Sequence, residues 1–186
     1  MKKTLECLIK AYVGESQARN RYSFYAKVAK KEGFEQISEI LLLTAEQERV
    51  HAKRLFEHIQ ELKENNQEIV IETSVPTIYG DTKENLQAAI EGENYEFQEM
   101  YPEFAKIAAS EGYPIIAARL NSIAIAEKNH KERYQVLLNK VENNAVFSSR
   151  EDTWWVCREC GYIHYGKNAP NKCPACDYPQ SYYQTK

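Results

Sequence analysis

Glu48-Arg49-Val50-His51 and Glu127-Lys128-Asn129-His130 each read Glu-x-x-His, with Glu93-Asn94-Tyr95-Glu96 between them and Glu15 upstream. Residues three apart on an α-helix share a side, so each Glu-x-x-His pair aims one carboxylate and one imidazole at a common point. Two such pairs, with single glutamates from two further helices, form the ligand set of a carboxylate-bridged di-metal centre inside a four-helix bundle. The sequence therefore predicts a mainly α fold, a ferritin-like four-helix bundle with one long crossover.

The hydrophobic residues repeat in phase with these glutamates. The first stripe runs Leu5, Leu8, Tyr12, Glu15, Arg19, Tyr22, Ala26, Ala29, and the second Ile37, Leu41, Thr44, Glu48, His51, Leu55, His58, Leu62. The third runs Leu86, Ala89, Glu93, Glu96, Met100, then Phe104 and Ile107 after a slip in spacing. The fourth is Ile116, Leu120, Ile123, Glu127, His130, Tyr134, Leu137, Val141. Steps alternating between three and four residues mark the inward face of a packed helix. A single Glu-x-x-His on a charged helix is ordinarily a pair of solvated side chains. Here every candidate falls on an inward stripe, near its middle. Carboxylates gathered in one core repel one another and lose hydration, at several kcal/mol per ion, and a pair of iron cations nearly neutralises them. Arg19 shares the stripe and reads as a solvated end-of-bundle residue. His58 lies two turns beyond His51, too far to join the same site, and reads as structural.

The tail carries a second signal. Cys157-Arg158-Glu159-Cys160 and Cys173-Pro174-Ala175-Cys176 are two Cys-x-x-Cys knuckles. Four thiolates at that spacing bind a tetrahedral metal, zinc or a single iron. Spacing does not choose between the two, but a neighbouring redox centre favours iron, since zinc carries no electron. The stretch from Thr153 to Lys186 is too short to fold on apolar burial, so metal must supply much of its stability. Trp154, Trp155, Tyr162, Tyr165, Tyr178, Tyr182 and Tyr183 are candidates for a shell around the sulfurs. The alternative, a disulfide framework, lacks an export signal to support it.

Breaks in the pattern set the organisation. Gly33 separates the first two helices by a short turn. Residues Asn65 to Asp81 form a long connection, Asp81 and Thr82 are candidate N-caps, and Gly112 with Pro114 ends one helix and starts the next. Pro102 should kink the third helix or open a bulge in it. Asn143 to Asp152 reads as a polar linker. Two domains are expected, a bundle over 1–146 and a metal-bound tail over 152–186.

In these segments the chain resembles the rubrerythrins along essentially its full length. The matching stretches are Gly14 to Tyr22, Glu46 to Lys53, Gly92 to Glu96 with Glu99 to Pro102, and Ala126 to His130, and the tail resembles the rubredoxin-like domain of that family. The resemblance implies a non-haem di-iron peroxidase that reduces hydrogen peroxide to water and is fed by a four-cysteine iron site. It implies metal ligation by Glu15, Glu48, His51, Glu93, Glu96, Glu127 and His130, and by Cys157, Cys160, Cys173 and Cys176. It further implies that one iron exchanges Glu96, when oxidised, for His51, when reduced. Tyr22 and Tyr101 match tyrosines that hydrogen-bond ligating carboxylates, although phase alone also allows both as core tyrosines. A homodimer is implied, in which the tail of one subunit serves the bundle of the other. A ferroxidase or iron-handling protein is the alternative, but storage needs no electron-feeding domain.

Composition narrows the partners. Formal net charge is −3 with 27 acidic and 24 basic residues, which argues against nucleic acid. The charged N-terminal segment leaves no room for a signal-peptide core, and no apolar run reaches membrane-spanning length, so a cytoplasmic protein is expected. No Gly-x-Gly-x-x-Gly fingerprint occurs, so reducing equivalents should arrive from an external NAD(P)H-dependent reductase or rubredoxin. Cys7, outside the quartet, reads as a buried, inert thiol.

Overall fold

The computed structural model describes residues 2–65 and 68–186. Two long helices, α1 (Lys3–Lys31) and α2 (Glu35–Leu62), form an antiparallel pair. Gly33 turns the chain between them at φ 83, a left-handed conformation that costs glycine little, and Phe34 N–H closes the turn on Ala29 O at 2.8 Å. A long connection leads to α3 (Thr82–Tyr95), which runs through a π-helical segment (Glu96–Met100) into α4 (Tyr101–Ser110). Gly112, at φ 86, precedes α5 (Pro114–Glu142). Asp81 is the N-cap of α3: its side chain accepts from Glu84 N–H at 2.8 Å, and Glu84 accepts from Asp81 N–H at 3.1 Å. This reciprocal box fixes where α3 begins.

The π-segment is the bulge that Pro102 demands. Proline lacks the N–H of the next helical bond and its ring crowds the preceding turn, so the helix widens just before it. The widening changes which residues turn inward. Tyr101, Ala105 and Ala108 are buried, while Phe104 and Ile107, expected on the inner stripe, are only half-buried. Arg19 likewise lies outside: it is exposed, and Ala18 occupies the inner position between Glu15 and Tyr22.

Two apolar clusters sandwich the bundle's polar layer. One gathers Leu5, Leu8, Leu55, Tyr101 and Leu120, and the other Tyr22, Ile37, Leu41, Leu86 and Leu137. Each fully buried leucine contributes about 1.5–3 kcal/mol. The glutamates therefore occupy a slice of core whose walls are held rigid from both sides.

The tail is a three-stranded antiparallel sheet of order β2-β1-β3, from β1 (Ser148–Cys157), β2 (Ile163–Asn168) and β3 (Tyr183–Thr185). The linker is shorter than the sequence suggested, because Ser148 already pairs with Asn168 across an irregularity that ends at Thr153. Polar residues can extend such a strand because they face solvent. Trp155 and Tyr183 are fully buried and pack with Cys157 and Cys173. Trp154 and Tyr165 pair outside the core with ring centroids 4.8 Å apart. The tail seats on the bundle end at the α1–α2 turn: Phe147 stacks on Phe34 at 6.2 Å, Lys140 donates to Thr185 at 3.1 Å, and Arg158 pairs with Glu39.

Candidate metal centres

Six of the sequence-derived candidates converge in the bundle. Glu15 comes from α1, Glu48 and His51 from α2, Glu93 from α3, and Glu127 and His130 from α5. Ligand atoms of Glu15, Glu48, His51 and Glu127 all lie within 4.8 Å of one another, as do those of Glu48, Glu93, Glu127 and His130. Glu48 and Glu127 belong to both groups. That is the arrangement of two adjoining sites sharing two carboxylates.

Donors alone cannot satisfy these groups. His130 Nδ1 lies 2.8 Å from Glu127, 2.9 Å from Glu48 and 3.5 Å from Glu93. His51 Nδ1 lies 2.9 Å from Glu48, 3.0 Å from Glu127 and 3.7 Å from Glu15. One ring nitrogen donates at most one proton. Despite these short separations, Glu48 Oε1, Glu93 Oε2, both Glu127 oxygens and His130 Nδ1 make no hydrogen bond of acceptable geometry. Buried polar atoms left unpaired are costly, and buried carboxylates more so. Two cations at the shared foci satisfy them all, and a carboxylate–imidazole donor set suits iron. The residues fit a di-iron pair.

Without a cation the layer is electrostatically strained. Burial drives Glu93 up to about 8, with the Glu48 and Glu127 charges adding to the rise against the His130 contact. Glu15 is held well above the carboxylate range by burial and then by Glu127 and Glu48. Burial would raise Glu48 too, but the His130 imidazole 2.9 Å away and the hydrogen bond with His51 bring it down to about 2. His130 rises to about 12: burial opposes its charge, and Glu127, Glu48 and Glu93 overcome that.

The remaining candidates stand around this layer. Tyr22 donates to Glu93 Oε1 at 2.6 Å and Tyr101 donates to Glu15 Oε1, both from fully buried positions. Glu96 is not among the converging ligand atoms of either group. It sits half-buried in the π-segment and lines a cavity of about 690 Å³, its carboxyl held high by burial and by Glu15, Glu93 and Glu127. His58 pairs locally with Glu61 at 3.0 Å. Sequence phase treated Tyr134 as plain core, yet its ring packs edge-on against Tyr22 at 5.5 Å and its hydroxyl is raised by burial and then by Glu93. Its spacing one turn after His130 was the available signal.

In the tail, Cys157 Sγ lies 3.7 Å from Cys176 Sγ, and Cys160 Sγ 3.7 Å from Cys173 Sγ. A disulfide needs about 2.05 Å. A tetrahedron with metal–sulfur bonds of about 2.3 Å has edges of about 3.8 Å, so the quartet is spaced for one metal ion. Each knuckle closes on a left-handed residue, Gly161 at φ 79 and Asp177 at φ 64, whose N–H bonds back to the first cysteine's carbonyl at 2.9 Å. Burial raises Cys173, but the nearby Tyr183 hydroxyl and the Ala175 and Cys176 amides bring it down to about 6, ready to ligate as thiolate. Cys7 is buried apart from the quartet, its thiol pushed up by burial to about 11.

Both halves have known counterparts. The rubrerythrin family model matches residues 6–138, and the rubrerythrin rubredoxin-like domain matches residues 155–184. The chain belongs to the rubrerythrin family. It is 52% identical to Rubrerythrin-1 of Clostridium acetobutylicum over 98% of this chain and 93% of that one. It is 48% identical to the rubrerythrin of Porphyromonas gingivalis over 98% of this chain and 89% of that one. A solved structure of nigerythrin in a mixed-valence state superposes with a TM-score of 0.66 at 31% identity, covering 98% of this chain and 86% of that chain. As a rubrerythrin the chain is an iron-dependent oxidoreductase of peroxide-related chemistry, with a di-iron site in its bundle and a rubredoxin-like iron site in its tail. Among the described residues, no helix is long and apolar enough to cross a membrane.

Proposed function

We propose that the chain reduces hydrogen peroxide to water at the carboxylate–histidine layer, with electrons entering through the four-cysteine tail from an external NAD(P)H-dependent reductase or rubredoxin. One observation carries this reading: a two-focus site beside an open cavity shares a chain with a tetrathiolate site seated on the same bundle. An iron-storage role leaves that tail without a task.

In this reading Glu15, Glu48, His51, Glu93, Glu127 and His130 would hold the iron pair, with Glu48 and Glu127 common to both groups and Glu96 the further carboxylate that could take the place of His51. When bound, the irons supply Lewis acidity and the electrons that cleave the O–O bond. The protein supplies geometry and protons. Tyr22 and Tyr101 donate to Glu93 and Glu15, which fixes how each carboxylate is turned. The reduction consumes two protons per peroxide. Glu96, off the converging layer and lining the cavity, stands where a carboxyl can carry a proton from solvent toward the departing oxygen. The two apolar clusters exclude water from the sides of the layer.

The test is reductase-driven peroxide consumption by the iron-loaded full chain and by Cys160→Ser. Full activity in the first and its loss in the second are expected. Undiminished turnover by Cys160→Ser rules out the tail as the route of electrons.

A further inference from the structure

The cavity that Glu96 lines runs along α1 beneath the crossover, between Lys10, Gly14 and Arg21 on one side and Val75, Glu96 and Phe104 on the other. Its volume, about 690 Å³, far exceeds hydrogen peroxide, which needs roughly the room of two waters at about 30 Å³ each. Gly14 leaves the wall open toward Glu96, since a Cβ there would stand 3.7 Å from Glu96 Oε1.

Arg21 is the second observation. The residue is only 9% exposed. It donates to Gln17 at 2.5 Å and to the Tyr25 hydroxyl at 3.5 Å, and Nη2 faces the side-chain-free position of Gly92 at 3.7 Å from where a Cβ would be. Among the described residues, no carboxylate forms a salt bridge with it. The Tyr22 and Tyr25 rings lie 5.7 and 6.0 Å from the guanidinium and offset part of its burial, but neither carries a counter-charge, and the guanidinium fork matches a carboxylate bidentately. Lys10, at the other end, is already paired with Glu6 at 2.6 Å, and Glu72 is exposed on the crossover. Arg21 lies seven residues beyond Gly14, about 10 Å of rise along α1, while its Nη2 faces Gly92, four residues or about 6 Å of rise before Glu96. An extended chain of about five to eight carbons, bonded at about 1.5 Å, covers that range.

We propose that this cavity binds medium-chain organic hydroperoxides carrying a terminal carboxylate. The carboxylate seats on Arg21 and the hydroperoxide end reaches the Glu96 side. The inference rests on the peroxidase reading and names a further substrate class for the same site. The reaction balances as ROOH plus two electrons and two protons giving ROH and water. The O–O bond breaks, one oxygen leaves as water, and the electrons come from the external reductase through the four-cysteine iron.

The experiment has two readouts on the full iron-loaded chain. Octanoate binding is measured by titration calorimetry, and kcat/KM is measured for a hydroperoxy-octanoate and for hydrogen peroxide. Arg21→Gln removes the charge, and Val75→Trp, on the exposed crossover, fills the cavity without disturbing the core. Octanoate should bind the parent chain and bind each variant about tenfold or more weakly. The ratio of kcat/KM for the organic over the inorganic peroxide should fall by a similar factor. Equal octanoate affinity in all three proteins, with hydrogen peroxide still consumed, overturns the proposal. Arg21-dependent octanoate binding with neither peroxide consumed supports the carboxylate site and overturns the peroxidase reading instead.

Discussion

His51 Nδ1 on α2 lies 3.0 Å from Glu127 Oε1 on α5, although the two side chains reach each other from different helices of the bundle. Glu127 Oε2 lies 2.8 Å from His130 Nδ1 on the opposite side. One carboxylate thus touches the imidazole of each Glu-x-x-His pair.

On the proposed reading that shared position, which Glu48 also holds, makes Glu127 a residue on which both bundle irons would depend. Glu127→Ala should lose nearly all bundle iron while keeping the tail iron, so that elemental analysis falls from three irons per chain to about one. Retention of a full iron pair would contradict the bridging assignment.

The metal-free bundle should be most stable in mild acid. Glu93 is raised to about 8 from 4.5, Glu15 and Glu96 are held well above 4.5 by burial and their neighbouring carboxylates, and His130 is raised to about 12 from 6.5. Between pH of about 5 and 8 the unfolded chain gives up these protons while the folded one keeps them, so stability falls as pH rises. Glu48 acts in the opposite sense, but only below its ordinary 4.5, where its contribution is lost as pH falls toward 2. Iron replaces the retained protons. Thermal unfolding should therefore show a melting temperature that drops from pH 5 to 8 without metal and stays nearly flat with it.

The layer was legible in the sequence because helical phase and metal chemistry constrain the same residues. Glu15, Glu48, Glu93, Glu127 and His130 had to face inward for the stripes to work, and the donor set then pointed to a pair of metals, which the family resemblance named as iron. Two features escaped. The bulge before Pro102 was foreseen, yet its consequence was not: a π-turn shifts every later residue around the axis, which moved Ala105 and Ala108 inside and left Phe104 and Ile107 half-buried. The early start of β1 was hidden because Ser148 to Asp152 are polar and carry no alternation. Arg21 was read merely as part of a matching stretch. Its burial depends on the crossover, which no local pattern reveals.

Cys7 offers a simple contrast with the tail. With its thiol raised to about 11 by burial, it stays protonated near neutrality and should resist alkylation, whereas the metal-stripped quartet should label readily through exposed Cys160. Mass spectrometry after a short iodoacetamide pulse at pH 8 reads this directly. Early labelling of Cys7 would contradict its burial.

The tail seats on its own bundle at Glu39, about 14 Å of helix rise from Glu48. The family's implied arrangement sends electrons to a partner's bundle instead. Mixing Cys160→Ser with Glu127→Ala chains distinguishes the two routes. Transfer between subunits predicts that reductase-driven turnover reappears in the mixed dimer. Verified subunit exchange without recovery assigns the relay to a single chain.

The central claim is that the reduced bundle site reacts with peroxide and draws its electrons through the tail. Anaerobic stopped-flow mixing of the fully reduced three-iron protein with hydrogen peroxide, and separately with oxygen, tests it most directly. The account predicts peroxide-driven oxidation that is faster than the oxygen reaction, followed by the visible absorption of ferric tetrathiolate as the tail iron gives up its electron. Faster reaction with oxygen, with iron accumulating beyond three per chain, would contradict it and favour iron handling.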